Sequence, residues 1–146
     1  MLRDRCLIPL SHQHHNGLAL CVMTRRSLAA DGSPGNVAKL ARRAIGRYEL
    51  ELANHFEVEE QVLFPACGEM SLIAELVADH RTMEGQIAQL KAAHSVVLLE
   101  QFCALLSAHI RREENELFEQ IQRALPREAL DRAGSEIDRR VVRVCL

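Results

Sequence analysis

Three times along this chain a histidine is followed four residues later by a glutamate: "HFEVE" from His55, "HRTME" from His80 and "HIRRE" from His109. Residues four apart in a helix lie one above the other on the same face. Each pair interrupts a stripe of apolar residues spaced three and four apart, the signature of a helix face turned toward a core. A chain so patterned has to bury imidazoles and carboxylates together, and a buried carboxylate without a partner is driven to neutralise. The fold must supply that partner.

The pattern around these pairs is helical. The second stretch presents Ala41, Ile45, Tyr48, Leu52, His55, Glu59 and Val62 on one face. The third presents Ile73, Leu76, His80, Glu84 and Ile87, and the fourth Phe102, Leu105 with Leu106, His109, Glu113, and Glu116 with Leu117. A first stretch carries "SHQHH" and reads His15, Leu18 with Ala19, and Val22 in the same sense. Breakers at "DGSPG", "FPACG", "AAHS" and "LP" separate helices of about 11–30, 36–64, 69–92 and 95–125, and Pro126 opens a shorter one at about 127–140. Leu, Ala, Glu and Arg dominate while aromatics are 3%, a composition that favours helix over strand. The expected fold is all-α, an up-down-up-down four-helix bundle with a short C-terminal helix. The 146 residues are expected to form a single domain. Its bundle core spans about 10–125, and the C-terminal helix and tail about 127–146, with the apolar "VVRVCL" packing as a cap or arm.

Charge and cysteine usage narrow the function classes. A net charge of -2, with the arginine pairs dispersed, gives no electrostatic reason to expect nucleic acid or a membrane surface. Five cysteines without a CxxC spacing read as reduced thiols rather than a disulfide framework or a cysteine-rich zinc site. The apolar run in "MLRDRCLIPLSHQHH" is too short for a signal peptide and no stretch is long enough to span a bilayer, so a cytoplasmic location is expected.

Histidine and carboxylate together suit iron, manganese or zinc, and facing helices of a bundle can bring them to one point. One His-x-x-x-Glu is commonly an exposed helical pair; three on successive helices, with "HQHH" on another, are not. Four imidazoles and up to three carboxylates exceed the needs of one tetrahedral zinc and match two octahedral ions bridged by carboxylates. Within "SHQHH" the apolar neighbours Leu18 and Val22 select His15. His14, sharing its stripe with Cys21 and Arg25, is the alternative, and His12 is expected at the surface just after a Ser11 cap. Tyr48, Cys21 and Cys103 are expected to pack in the core. Glu57 and Glu60 are expected to face solvent, Glu114 to rotate away from the inward stripe, and Gly46 and Gly85 to mark close helix approaches.

Taken together, "HQHHNGL", "HFEVEEQVLFP", "DHRTME" and "HIRREENELF" resemble the hemerythrin-like (hemerythrin HHE cation-binding) domain family over about residues 10–125. The resemblance implies a non-haem di-iron centre, two irons per chain joined by an oxo or hydroxo group and by the carboxylates of Glu59 and Glu113. It puts His15 and His55 on one iron and His80 and His109 on the other, with Glu84 where the oxygen carriers place a third histidine. Those carriers take their fourth-helix carboxylate five residues after the histidine; this chain has Glu113 at four and Glu114 at five. The implied function is the binding or sensing of dioxygen, nitric oxide or an oxidant, with a diatomic ligand as partner and room for a homodimer or protein partner. The alternative is a di-iron oxidoreductase or a protein that repairs iron centres.

Overall fold

The computed structural model describes residues 2–144, and within them five helices. They are α1 (Ile8–Ala30), α2 (34–66), α3 (Ser71–Ala92), α4 (96–124) and α5 (Arg127–Arg140). The start of α1 falls a turn before the expected Ser11 cap. Pro9 explains it: a proline in a first turn lacks only an N–H that the helix would leave unused. Ser11 therefore lies inside the helix, where its hydroxyl donates to the Glu114 carboxylate.

The other boundaries follow from capping chemistry. Ser33 accepts from the Asn36 N–H and Pro34 occupies the first position of α2, while Ser95 accepts from the Leu98 N–H to start α4. Gly68, at φ 69°, makes the turn after α2. Of the tail, Val141–Val144 is described; Cys145 and Leu146, the end of the expected cap or arm, lie outside the described residues.

α2 and α4 are not uniform. α2 widens into π-helical turns at Tyr48–Leu52 and Glu59–Leu63, and α4 does so at Glu113–Leu117. Two of the three open on the glutamates of the His-x-x-x-Glu pairs. A π turn holds one extra residue, and the pairs Leu63 with Phe64 and Leu117 with Phe118 at the ends of two of them are buried.

α1 packs on α4, α4 on α3, α3 on α2 and α2 on α1, which closes a ring of four helices, while α5 lies against α1 and α2. Two apolar blocks fill the ring. One gathers Leu20, Leu40, Leu52, Met83, Ile87, Phe102 and Leu106, and the other Leu10, Val58, Leu63, Leu76, Leu117, Phe118 and Ile137. In every helix of the ring the histidine-bearing turn falls between the blocks, so the polar residues form a layer sealed at both ends.

Close approaches occur at glycines other than those expected. A Cβ on Gly17 would meet the Ile110 side chain at 3.0 Å, and one on Gly134 would stand 2.7 Å from Cβ and 3.1 Å from Cα of Cys6, whereas Gly46 and Gly85 face open space. A flexible side chain yields; the backbone of Cys6 does not. Gly134→Ala is therefore expected to cost about 1–3 kcal/mol by displacing the N-terminal segment from α5. Urea unfolding at constant m-value measures it, and an unchanged midpoint would show that the contact is loose.

Candidate metal centre

Within the sealed layer His14, His55, Glu59, His80, His109 and Glu113 are each no more than 3% exposed. Each imidazole presents Nε2 to the centre. His55 Nε2 lies 3.1 Å from Glu59 Oε1, His80 Nε2 3.3 Å from the same oxygen, and His14 Nε2 3.3 Å from Glu113 Oε2. His109 Nε2 meets Glu113 Oε1 and stands 3.2 Å from His80 Nε2. Two four-residue groups result, each with ligand atoms within 4.8 Å of one another: His14, His55, Glu59 and Glu113, and Glu59, His80, His109 and Glu113. The two carboxylates belong to both.

Every Nδ1, on the far side of its ring, faces an acceptor from the next helix around the ring. His55 Nδ1 is 2.8 Å from Gln13 Oε1, His80 Nδ1 2.7 Å from Glu60 Oε2, and His109 Nδ1 3.0 Å from Asp79 Oδ2. Glu114 Oε2 lies 3.3 Å from His14 Nδ1. α1 is thus supported by α4, α4 by α3, α3 by α2 and α2 by α1. The pattern repeats by halves: Gln13–His14 on α1 matches Asp79–His80 on α3, and His55, Glu59 and Glu60 on α2 match His109, Glu113 and Glu114 on α4. An acceptor at Nδ1 fixes the tautomer of a neutral imidazole, so that the Nε2 lone pair points inward.

Four imidazole nitrogens and four carboxylate oxygens converging in a buried layer are a poor arrangement for a chain by itself. Among the described residues both ring nitrogens of His14, His55 Nε2, both oxygens of Glu59 and both of Glu113 are buried without a well-directed hydrogen bond, so Glu114 faces His14 Nδ1 as a charge partner. Protons take up part of the charge. Burial and the neighbouring Glu113 carboxylate push Glu59 well above the usual carboxylate range. Burial opposes charge on His14 and His109, but Glu113, with Glu114 at the first and Asp79 at the second, outweighs it and raises both. Burial, reinforced by the neighbouring imidazoles, pushes His55 well down and His80 down to about 4. Burial also opposes charge on Glu113, but contacts from Glu59, His109 and His14 hold it well below its usual range. The donor set, its burial and its unpartnered oxygens fit metal-cation binding.

The walls are aromatic. Phe56 stacks on His80 with ring centroids 4.0 Å apart and stands edge-on to His109, and Phe118 stacks on His14 at 5.3 Å. A cleft of about 300 Å³ lined by Tyr48, Phe56, Glu60, Arg81 and Glu84 reaches the outer side of Phe56 and Glu60.

Two expected members lie elsewhere. His15 is exposed on α1, and His14 takes the inward place, because the face of α1 that meets α4 carries Leu10, His14, Gly17 and Cys21 rather than Leu18 and Val22. Glu84 is bonded to Arg81 at 2.9 Å with its side chain 38% exposed, outside both groups. α3 stays α-helical past His80, whereas α2 and α4 open into π turns at their glutamates. Glu60 and Glu114, expected to face away, are half-buried and hold His80 and His14. Gln13 and Asp79 carried no expectation; their signal was the position immediately before a ligand-type histidine.

The family comparison agrees with this geometry. The family model described as the hemerythrin HHE cation-binding domain matches residues 8–121. Neither the curated proteins nor the solved structures searched contain a match. Among the described residues no helix is long and apolar enough to cross a membrane.

Proposed function

We propose, on the premise that this chain belongs to the hemerythrin HHE cation-binding family, that it holds two iron ions and binds or senses a small diatomic ligand or oxidant at them. The observation that carries the reading is the pair of four-donor groups sharing Glu59 and Glu113. In it His14 and His55 would hold one ion and His80 and His109 the other, with Glu59 and Glu113 available to both. The family's up-down-up-down arrangement, with the whole of 1–146 as one unit, accounts for the ring of helix contacts.

Iron at this site would supply redox chemistry and coordination positions for dioxygen or nitric oxide. The residues supply the rest. Two imidazoles and two carboxylate oxygens per ion leave a six-coordinate metal incompletely served by protein. With Glu84 turned to Arg81, that holds for both ions. Phe56 and Phe118 keep bulk water off the imidazoles, and the cleft beside Phe56 and Glu60 ends on the outer side of these two residues, which themselves contact His80.

Anaerobic titration with ferrous iron tests the reading. Two irons per chain are expected, with charge-transfer absorption appearing on exposure to air and altered by nitric oxide. A chain that takes up less than one equivalent, or gains no absorption on oxidation, would overturn it.

A further inference from the structure

The repeat between the two halves of the site breaks at one position. Three of the four imidazoles rest on carboxylates, each with an arginine beside it: Glu60 with Arg81, Glu114 with Arg3 at 3.9 Å, and Asp79 with Arg112 at 3.8 Å. His55 rests on the amide of Gln13, where the other half has Asp79. A carboxylate only accepts, whereas an amide accepts through oxygen and donates through nitrogen.

What Gln13 donates to is the chain just beyond α5. Its Nε2 lies 3.1 Å from the Val142 carbonyl and 3.3 Å from Asn54 Oδ1. Asn54 in turn accepts from the Val142 N–H at 2.9 Å and donates to the Arg140 carbonyl at 2.8 Å. The backbone groups fix both amides. The Val142 N–H requires Asn54 to present oxygen, and the Arg140 carbonyl requires its nitrogen. The Val142 carbonyl requires the Gln13 nitrogen, so Gln13 Oε1 can only face His55. Gln13 is 2% exposed, so its amide depends on these partners more than on bulk solvent.

We propose that the segment Arg140–Val142 is a strap that positions His55, acting through Gln13 and Asn54 to hold the ring with its N–H outward and its Nε2 lone pair on the cation site. Residues 140–142 lie beyond the stretch 8–121 that matches the family model. Gln13 and Asn54 are positioning residues. The coupling runs both ways, because what strengthens the His55 hydrogen bond polarises the Gln13 amide and tightens its grip on Val142. The strap's role toward iron rests on the function proposed above; its role toward the tautomer of His55 does not.

Nitrogen-15 NMR of the histidine rings and hydrogen exchange at the Val142 amide, in the full metal-free chain, test it. In the wild type His55 is expected as the Nδ1–H tautomer with Val142 protected. Asn54→Leu should speed Val142 exchange at least tenfold and give a mixture of His55 tautomers. Gln13→Glu should also free Val142 yet keep His55 in the Nδ1–H form, because a carboxylate still accepts; a merely structural role would not separate the two readouts. Should Asn54→Leu free the strap and leave the tautomer unmixed, or should Val142 exchange freely in the wild type, the inference fails. Iron per chain is measured on the same samples. Tautomers that follow the strap in a protein that takes up no iron would leave the strap standing and remove the iron reading, and full iron uptake with tautomers indifferent to the strap would do the reverse.

Discussion

Glu113→Ala is expected to remove both cations at once, while His14→Ala removes or weakens one, and His15→Ala and Glu84→Ala leave the full complement. The ranking follows from position. Glu113 sends Oε2 toward His14 and Oε1 toward His109, so it serves both four-residue groups, whereas His14 belongs to one. Loss of a group that only orients a ligand costs about 10–100-fold in metal affinity, and loss of a shared carboxylate should exceed that at both ions. His15 is exposed and Glu84 is paired with Arg81, so neither change should move stability by more than about 0.5 kcal/mol. Metal analysis after anaerobic loading and desalting reads the result, with Glu113→Gln as the shape-conserving control. Retention of two irons by Glu113→Ala, or loss of one by His15→Ala, would refute the assignment.

The second large effect is on stability. An ion at one hundred times its Kd adds about 2.7 kcal/mol to the folded state. For a chain of this length that raises Tm by about 10 °C. Chelation should reverse it. The increment is expected to shrink in acid, and the direction can be worked out. Without a cation Glu59, His14 and His109 all hold their protons more tightly than usual, and a metal must displace those protons to bind. Proton competition at the two imidazoles therefore sets in above their ordinary pKa of about 6.5 and deepens as pH falls. Calorimetric scans with and without metal at pH 8 and pH 6 check this, and an increment larger at pH 6 would contradict it.

The parts of the site legible in the sequence are those where imidazole and carboxylate interrupt an apolar stripe. His55, Glu59, His80, His109 and Glu113 stand out because their neighbours Leu52, Leu76, Leu106 and Leu117 are core residues on the same face. α1 misleads for a physical reason. Its buried face includes Gln13, Asn16, Gly17 and Thr24, while Val22 and Met23 are 46% and 53% exposed, so apolar content points about one residue around the helix from the true face. Close packing on α4 selects small residues there, and of the buried polar groups Gln13 bonds His55 while Asn16 donates to Glu51. Glu84 misleads differently, since i,i+4 spacing from His80 is necessary for a shared ligand face and not sufficient. The supporting acceptors had a signal that periodicity passes over: "EE" follows His55 and His109 at the same distance, and "QH" and "DH" recur on the two other helices.

The ring of Nδ1 supports has a kinetic meaning. Each histidine is held by a residue of the neighbouring helix, so no helix can leave the ring without freeing its own ligand and unseating a second one. The site is consequently complete only when the last helix has docked, an event expected to follow the step that limits folding. A bound ion then acts on interactions absent from the folding transition state. Its stabilisation should appear as slower unfolding with little change in the rate of folding, so that a bound ion would set the chain's lifetime in the folded state.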